Sequence, residues 1–175
     1  MDLKISQLFG FFFVLKYVIL KMVIIMKLGF ASDHRGFMLK NKLTEYFSDM
    51  GYTIVDYGTN SSDSCDYPDY AYKLGMGIVN KEVDYGVAIC GSGIGINIAL
   101  NKMKGVYCAK ANNSFEAMNT RIDNNTNCVS FGETTDFDEA VKIINTFITT
   151  EYSNLEKHNR RIDKVKQIED GVYNG

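Results

Sequence analysis

The chain has 175 residues, a length that predicts one domain with one active site. Hydrophobic residues make up 46% of the chain and charged residues 23%, so a disordered, collagen-like or disulfide-scaffold protein is excluded. The 19 lysines and arginines nearly balance 21 acidic residues, for a net charge of -2. There is therefore no basic field for nucleic acid, and any anion-binding site must be local.

The four cysteines are widely spaced and form no C-x-x-C pair, so the sequence predicts neither a zinc site nor a redox dithiol. They are Cys65, Cys90, Cys108 and Cys128. Reduced thiols are typical of a reducing compartment, and we expect a cytoplasmic protein.

Residues 1–25 are far more apolar than the rest of the chain, and the composition changes at Met26. A membrane-spanning helix needs about 20 apolar residues with few charges, but Lys16 and Lys21 interrupt this segment. No small-x-small cleavage pattern precedes Met26, which disfavours a secretory signal. We expect 1–25 to be a leader outside the fold, with a membrane anchor or a signal as the alternatives, and 26–175 to be one domain without membrane contact.

From Lys27 onward, short apolar runs alternate with segments whose apolar residues recur at helical spacing. Pro68 suits the first turn of a helix, and Asn113-x-x-Glu116 and Asp136-x-x-Glu139 are typical of capping boxes. The predicted strands are 27–31, 53–57, 85–90, 106–109 and 128–131, and the last helix is predicted over about 154–170. This alternation indicates a five-stranded parallel sheet in a doubly wound, three-layer αβα sandwich of the Rossmann or flavodoxin-like type.

The strand order 2-1-3-4-5, common for such sheets, would open a ligand crevice between the carboxyl ends of the first and third strands. The residues just beyond those ends are 32–36 (Ser-Asp-His-Arg-Gly) and 90–95 (Cys-Gly-Ser-Gly-Ile-Gly). We therefore expect a thiol, an imidazole, a carboxylate and a glycine-rich turn to converge there.

The glycine-rich turn contains Gly91, Gly93 and Gly95, which can adopt backbone angles that other residues avoid. Their N–H groups can point into one concavity that holds an oxyanion or a phosphate. Tight packing of a strand against a helix selects the same residues, and the run has neither the Walker nor the dinucleotide-binding spacing.

Cys90 directly precedes this turn, where backbone donors favour a thiolate. It is therefore a candidate base or nucleophile. The alternative role for Cys90 is that of a small buried apolar residue. His34, at the expected crevice, is a candidate acid, base or phosphate donor. His158 belongs to the basic cluster 157–161, which is either a solvated face or a phosphate site, because arginine binds phosphate with two parallel hydrogen bonds.

Four segments carry a family resemblance: 32–37, 66–68, 89–95 and 124–127. In order and spacing they resemble the type B ribose-5-phosphate isomerases, a family that includes the galactose-6-phosphate isomerase subunits. The resemblance covers nearly all of 26–168. It implies an aldose–ketose isomerase of the pentose phosphate pathway, without metal or cofactor, that interconverts ribose 5-phosphate and ribulose 5-phosphate through an enediolate. It also implies a homodimer, or a dimer of such dimers, with active sites at the subunit interface.

The resemblance assigns roles to individual residues. Cys90 would be the base that moves a proton between C1 and C2, and Ser92 would assist proton transfer at the sugar oxygens. The amides of the turn would stabilise the enediolate charge. The implied substrate-binding residues are Asp33, His34, Tyr67, Gly91, Ser92, Gly93, Ile94, Gly95 and Asn124. The implied phosphate-binding residues are His34, Lys157 and Arg161.

The sequence departs from the family pattern at two places. Asp123 stands where members usually have the histidine that opens the sugar ring, and we expect Asp123 to take over this catalytic role. The residues after Gly132 are Glu133, Thr134 and Thr135, where many members carry a phosphate-holding arginine. The alternatives are an isomerase of galactose 6-phosphate or allose 6-phosphate, and a non-catalytic phosphate-binding subunit.

Overall fold

The computed structural model describes residues 26–175, so the leader predicted over 1–25 lies outside the described residues. Strands and helices alternate along this part of the chain. The strands are β1 (Lys27–Ser32), β2 (Thr53–Asp56), β3 (Tyr85–Cys90), β4 (Cys108–Lys110) and β5 (Cys128–Gly132). The helices are α1 (Phe37–Asp49), α2 (Tyr67–Val79), α3 (Ile94–Leu100), α4 (Ser114–Asn124), α5 (Phe137–Thr149) and α6 (Glu156–Glu169).

The five strands form one parallel sheet in the order β2-β1-β3-β5-β4. The doubly wound fold is thus confirmed, but the expected position of the last two strands was wrong. An interior strand of a parallel sheet is paired on both sides and buried on both faces. All five residues of β5 are buried, whereas the three-residue β4 is only partly buried and lies at the edge. β1 and β3 are neighbours, as expected.

Two apolar layers cover the sheet because successive side chains of a strand point to opposite faces. Helices α1, α4 and α5 pack on one face, and α2 and α3 pack on the other. The first layer includes Phe30, Phe47, Ile89, Phe131 and Phe147. The second layer includes Ala31, Leu74, Cys90, Ile96 and Cys128. Cys90 therefore belongs to the α2 and α3 side of the sheet.

Two helices begin at the predicted caps. The Asn113 side chain accepts the Glu116 N–H at 2.9 Å, and the Asp136 side chain accepts the Asp138 N–H at 3.0 Å. Each cap satisfies an N–H group that has no partner within its helix.

Between residues 26 and 175, no helix has the length and apolarity that crossing a membrane requires.

Candidate active site

The Cys90 sulfur lies against the glycine-rich turn, at the carboxyl end of β3. The residue is 4% exposed, and its Sγ accepts the Gly93 N–H at 3.2 Å. Gly93 has φ +74°, and a Cβ there would lie 2.6 Å from the carbonyl carbon of Phe131, so the turn requires glycine. A backbone N–H donor is the kind of partner that stabilises a negative charge on sulfur.

Two residues of the turn, Ser92 and Ile94, are exposed, whereas Gly93 is buried. Ser92 is exposed, and its Oγ accepts the Ile94 N–H at 3.2 Å. The Tyr67 ring covers the turn so closely that a Cβ on Gly95 would lie 2.8 Å from the ring. The structure thus brings Cys90, Tyr67 and the predicted residues 91–95 together.

Asp33 follows β1 beside this turn. Its N–H donates to the Ile89 carbonyl of β3 at 3.2 Å. One carboxylate oxygen, Oδ1, accepts the N–H groups of Arg35 and Gly36, both at 3.0 Å. Asp33 therefore shapes the entry to α1, and within 26–175 its second carboxylate oxygen accepts no hydrogen bond.

His34 is held by the loop that precedes Tyr67. Its Nδ1 lies 3.2 Å from both the backbone nitrogen and the carbonyl oxygen of Cys65. Because Nδ1 is occupied by this loop, Nε2 is the ring nitrogen left for a ligand.

The remaining predicted residues lie at the opposite edge of the sheet. Asp123 and Asn124 end helix α4, and the nearby Arg121 donates to the Tyr85 hydroxyl at 3.1 Å. Tyr85 begins β3 and Cys90 ends it, a separation of about 16 Å along the strand. One chain therefore does not bring Asp123 and Asn124 to Cys90.

Lys157 and Arg161 belong to the same opposite edge. They are exposed on α6, and Ser153, just before that helix, donates its hydroxyl to the Ile122 carbonyl at 2.7 Å. We call Asp33, His34, Tyr67 and 90–95 the carboxyl-edge group, and Asp123, Asn124, Lys157 and Arg161 the amino-edge group.

Sequence reasoning missed two side-chain pairs in these groups. In the amino-edge group, His158 is buried with its Nδ1 3.2 Å from the Asp123 carboxylate, so it is not part of a solvated face. In the carboxyl-edge group, Arg35 pairs with Glu133, and the hydrogen bond and charge of Glu133 raise the pKa of the Arg35 guanidinium. Neither pair follows from local spacing, because the two residues of each pair are far apart in the sequence. Arg35 and Glu133 are separated by 98 positions.

Three cysteines differ from Cys90 in setting. Cys108 and Cys128 are buried opposite each other on β4 and β5, and burial raises the pKa of the Cys128 thiol. Cys65 contributes its backbone to the His34 contact. In the described part of the chain, no three His, Cys, Asp or Glu side chains are grouped so that they could hold a metal ion.

The fold and the site define a class: a doubly wound α/β protein with a thiol and a glycine-rich turn where β1 and β3 end. A family model described as ribose/galactose isomerase matches residues 28–165. The chain belongs to this family, so the resemblance carried by its motifs is confirmed.

Individual relatives agree with the family. Ribose-5-phosphate isomerase B of Escherichia coli is 33% identical over 144 residues, covering 82% of this chain and 96% of that protein. The structure of the Clostridium thermocellum ribose-5-phosphate isomerase B has a TM-score of 0.81 at 36% identity, covering 83% and 99% of the two chains. The Mycoplasma genitalium enzyme with bound ribulose 5-phosphate has a TM-score of 0.77 at 32% identity, covering 83% and 97%.

Proposed function

We propose that this protein is an aldose–ketose isomerase that interconverts D-ribose 5-phosphate and D-ribulose 5-phosphate through an enediolate, in the pentose phosphate pathway. The observation that carries the proposal is the Cys90 sulfur, buried in the glycine-rich turn of a ribose/galactose isomerase family member. The ribulose 5-phosphate bound to the Mycoplasma genitalium relative supports the choice of substrate.

Cys90 acts as the general base in this proposal. Its thiolate takes the proton from C2 of the open-chain aldose. The carbonyl oxygen on C1 then becomes one of the two oxygens of the enediolate. The protonated sulfur, whose hydrogen exchanges with solvent, then delivers a proton to C1, which leaves the carbonyl at C2 and completes the ketose. The N–H groups of 91–95 stabilise the negative charge that develops on the sugar oxygens, and the Ser92 hydroxyl moves protons between them.

The other predicted residues hold the substrate. The free carboxylate oxygen of Asp33 accepts a sugar hydroxyl, the Nε2 of His34 donates to phosphate, and the Tyr67 ring covers the base. Asn124 binds a further hydroxyl. Asp123, with its carboxylate held by the buried His158, takes the proton of the anomeric hydroxyl and opens the ring.

Two copies of the chain complete the site in this proposal. The length of β3 separates the two groups within one chain, so the amino-edge group must come from a partner to reach Cys90. The proposed assembly is a homodimer, or a dimer of such dimers. Ile94 and Ile98 stand one turn apart on α3 beside the glycine-rich turn, and both are more than half exposed, which supports an apolar contact there.

A hybrid dimer tests both the chemistry and the assembly. Cys90→Ala and Arg161→Ala chains, each with its own tag, are co-expressed and the hybrid is purified. Each homodimer should have low kcat/KM, whereas the hybrid should recover about half of the wild-type value, because one of its two symmetric sites then has both native residues. If the hybrid is no better than the two homodimers, a site shared between copies is refuted.

The substrate is tested by comparing ribose 5-phosphate, allose 6-phosphate and galactose 6-phosphate. We expect the highest kcat/KM for ribose 5-phosphate. A higher value for a hexose phosphate would overturn the pentose assignment, and no turnover of any of the three would favour a non-catalytic phosphate-binding subunit.

The free cysteines support the proposal that the protein works in the cytoplasm.

A further inference from the structure

Arg35 extends across the glycine-rich turn. A Cβ placed on Gly91 would lie 3.1 Å from the Arg35 Cδ and 3.2 Å from its Cζ, so the missing side chain of Gly91 leaves room for the guanidinium. The Cys90 carbonyl accepts the Glu133 N–H at 2.9 Å, and the Glu133 carboxylate pairs with Arg35. The guanidinium is thus tethered directly above the end of β3.

Most donors of this guanidinium are free to bind a ligand. An arginine side chain carries five N–H donors. Within 26–175, the Glu133 carboxylate is the one group that accepts a hydrogen bond from the Arg35 side chain, which is 57% exposed. Glu133 therefore fixes the position of the guanidinium and leaves its other donors facing solvent at the mouth of the site.

The different exposures of Cys90 and Arg35 indicate how the substrate is oriented in the site. Cys90 is almost fully buried and Arg35 is mostly exposed, so the reacting carbons must lie deep and the other end of the sugar must point outwards to Arg35. In a sugar phosphate that outer end is the phosphate, and a guanidinium matches phosphate oxygens with two parallel hydrogen bonds.

We propose that Arg35, held in place by Glu133, binds the substrate phosphate and sets the preference for phosphorylated over unphosphorylated sugars. The proposal rests on the proposed isomerase function. It adds to that function a cation from the same chain as Cys90, whereas Lys157 and Arg161 would reach the same phosphate from the partner copy.

The test uses Arg35→Met, which keeps most of the apolar stem and removes the charge, and Arg35→Lys, which keeps the charge and loses the planar fork. Lys142→Met is the matched control, because Lys142 is 65% exposed and pairs with Glu139 on α5. We expect Arg35→Met to raise both KM for ribose 5-phosphate and the inhibition constant of inorganic phosphate by about 10- to 100-fold, the range of a charge-assisted hydrogen bond.

The other readouts separate phosphate binding from chemistry. We expect kcat for ribose 5-phosphate and kcat/KM for unphosphorylated ribose to keep their wild-type values in Arg35→Met. Arg35→Lys should fall between Arg35→Met and the wild type, and Lys142→Met should match the wild type. A fall in kcat with unchanged phosphate affinity would assign Arg35 to the enediolate and overturn the proposal.

A calorimetric titration with inorganic phosphate needs no turnover, so it tests Arg35 separately from the isomerase function. Weaker phosphate binding by Arg35→Met than by the wild type supports the proposal. Equal binding overturns it, even where the wild type isomerises ribose 5-phosphate. Failure of the wild type to isomerise any sugar phosphate would instead refute the proposed function.

Discussion

Replacing Gly93 by alanine tests whether the shape of the glycine-rich turn is what positions the Cys90 sulfur. The left-handed φ of +74° costs a residue with a Cβ about 1–2 kcal/mol. The new Cβ would also lie 2.6 to 2.9 Å from the backbone C, Cα and O atoms of Phe131, which cannot move aside by changing a rotamer. Overpacking of this kind costs about 1–3 kcal/mol.

The combined loss expected for Gly93→Ala is therefore about 2–5 kcal/mol in the free energy of unfolding. To relieve the contact, the turn must move away from β5. That movement disrupts the Gly93 N–H bond to the Cys90 sulfur and the bond from the Ser130 hydroxyl to the Gly93 carbonyl, which is 3.0 Å long. We expect kcat to fall more than about tenfold, because the Cys90 sulfur and the N–H donors of the turn then lose their relative positions.

Gly105→Ala is the matched control. Gly105 also has a left-handed φ, +83°, but no atom lies within 4 Å of the position of its Cβ. We expect it to lose only the conformational cost of about 1–2 kcal/mol and to keep the wild-type kcat. Urea unfolding followed by circular dichroism gives the free energies, and a steady-state assay gives kcat. Equal losses of stability for the two variants, with kcat unchanged in both, would show that the close packing of Gly93 on Phe131 does not position the Cys90 sulfur.

Three further predictions concern the leader and the amino-edge group. A chain that starts at Met26 should keep the Tm and kcat of the full chain, since β1 begins at Lys27; loss of folding would contradict this. Asp123→Asn keeps the shape of the side chain but removes the base, so kcat should fall for cyclic ribose 5-phosphate. It should change little for ribulose 5-phosphate, which cannot close a furanose ring. Equal falls for the two substrates would count against ring opening by Asp123. Arg161→Ala should raise KM more than Lys157→Ala, because arginine can donate two parallel hydrogen bonds to one phosphate; equal increases would show that this fork is not used.

Much of the fold follows from local signals in the sequence. Apolar runs predicted all five strands, and the caps at Asn113 and Asp136 predicted the starts of α4 and α5. The order of β4 and β5 did not follow, because strand pairing is decided by burial on both faces of the sheet rather than by neighbouring residues. β4 is short, and its edge position is a property of the whole sheet.

The meeting of Asp33 and His34 with 90–95 was predictable from topology, since the carboxyl ends of neighbouring parallel strands meet at one edge. Tyr67 was expected there only from the family resemblance. The position of Asp123 and Asn124 had a signal that the sequence reasoning did not use. A helix that leaves the carboxyl edge after β4 returns towards the amino edge, and the 11 residues of α4 span about 16 Å. Residues at the end of such a helix must therefore lie far from Cys90 in the same chain.

These two side-chain pairs could not be predicted from sequence. Arg35 and Glu133 come from the loops after β1 and β5. These loops lie on either side of the end of β3, because β1 and β5 are the two strands that pair with β3. His158 meets Asp123 only because the segment before α6 packs against the end of α4. Both contacts depend on tertiary packing, so their partners carry no shared local pattern.

Proton NMR of ribose 5-phosphate conversion in D₂O, by the wild type and by Cys90→Ala, tests most directly whether Cys90 is the base of an enediolate mechanism. We expect the wild type to form ribulose 5-phosphate with deuterium at C1, since the enediolate is reprotonated by a group that exchanges with solvent. Cys90→Ala should be slower by about 10² to 10⁴, the scale expected for loss of a general base. Conversion by Cys90→Ala at the wild-type rate, or no conversion by the wild type, would contradict this role of Cys90.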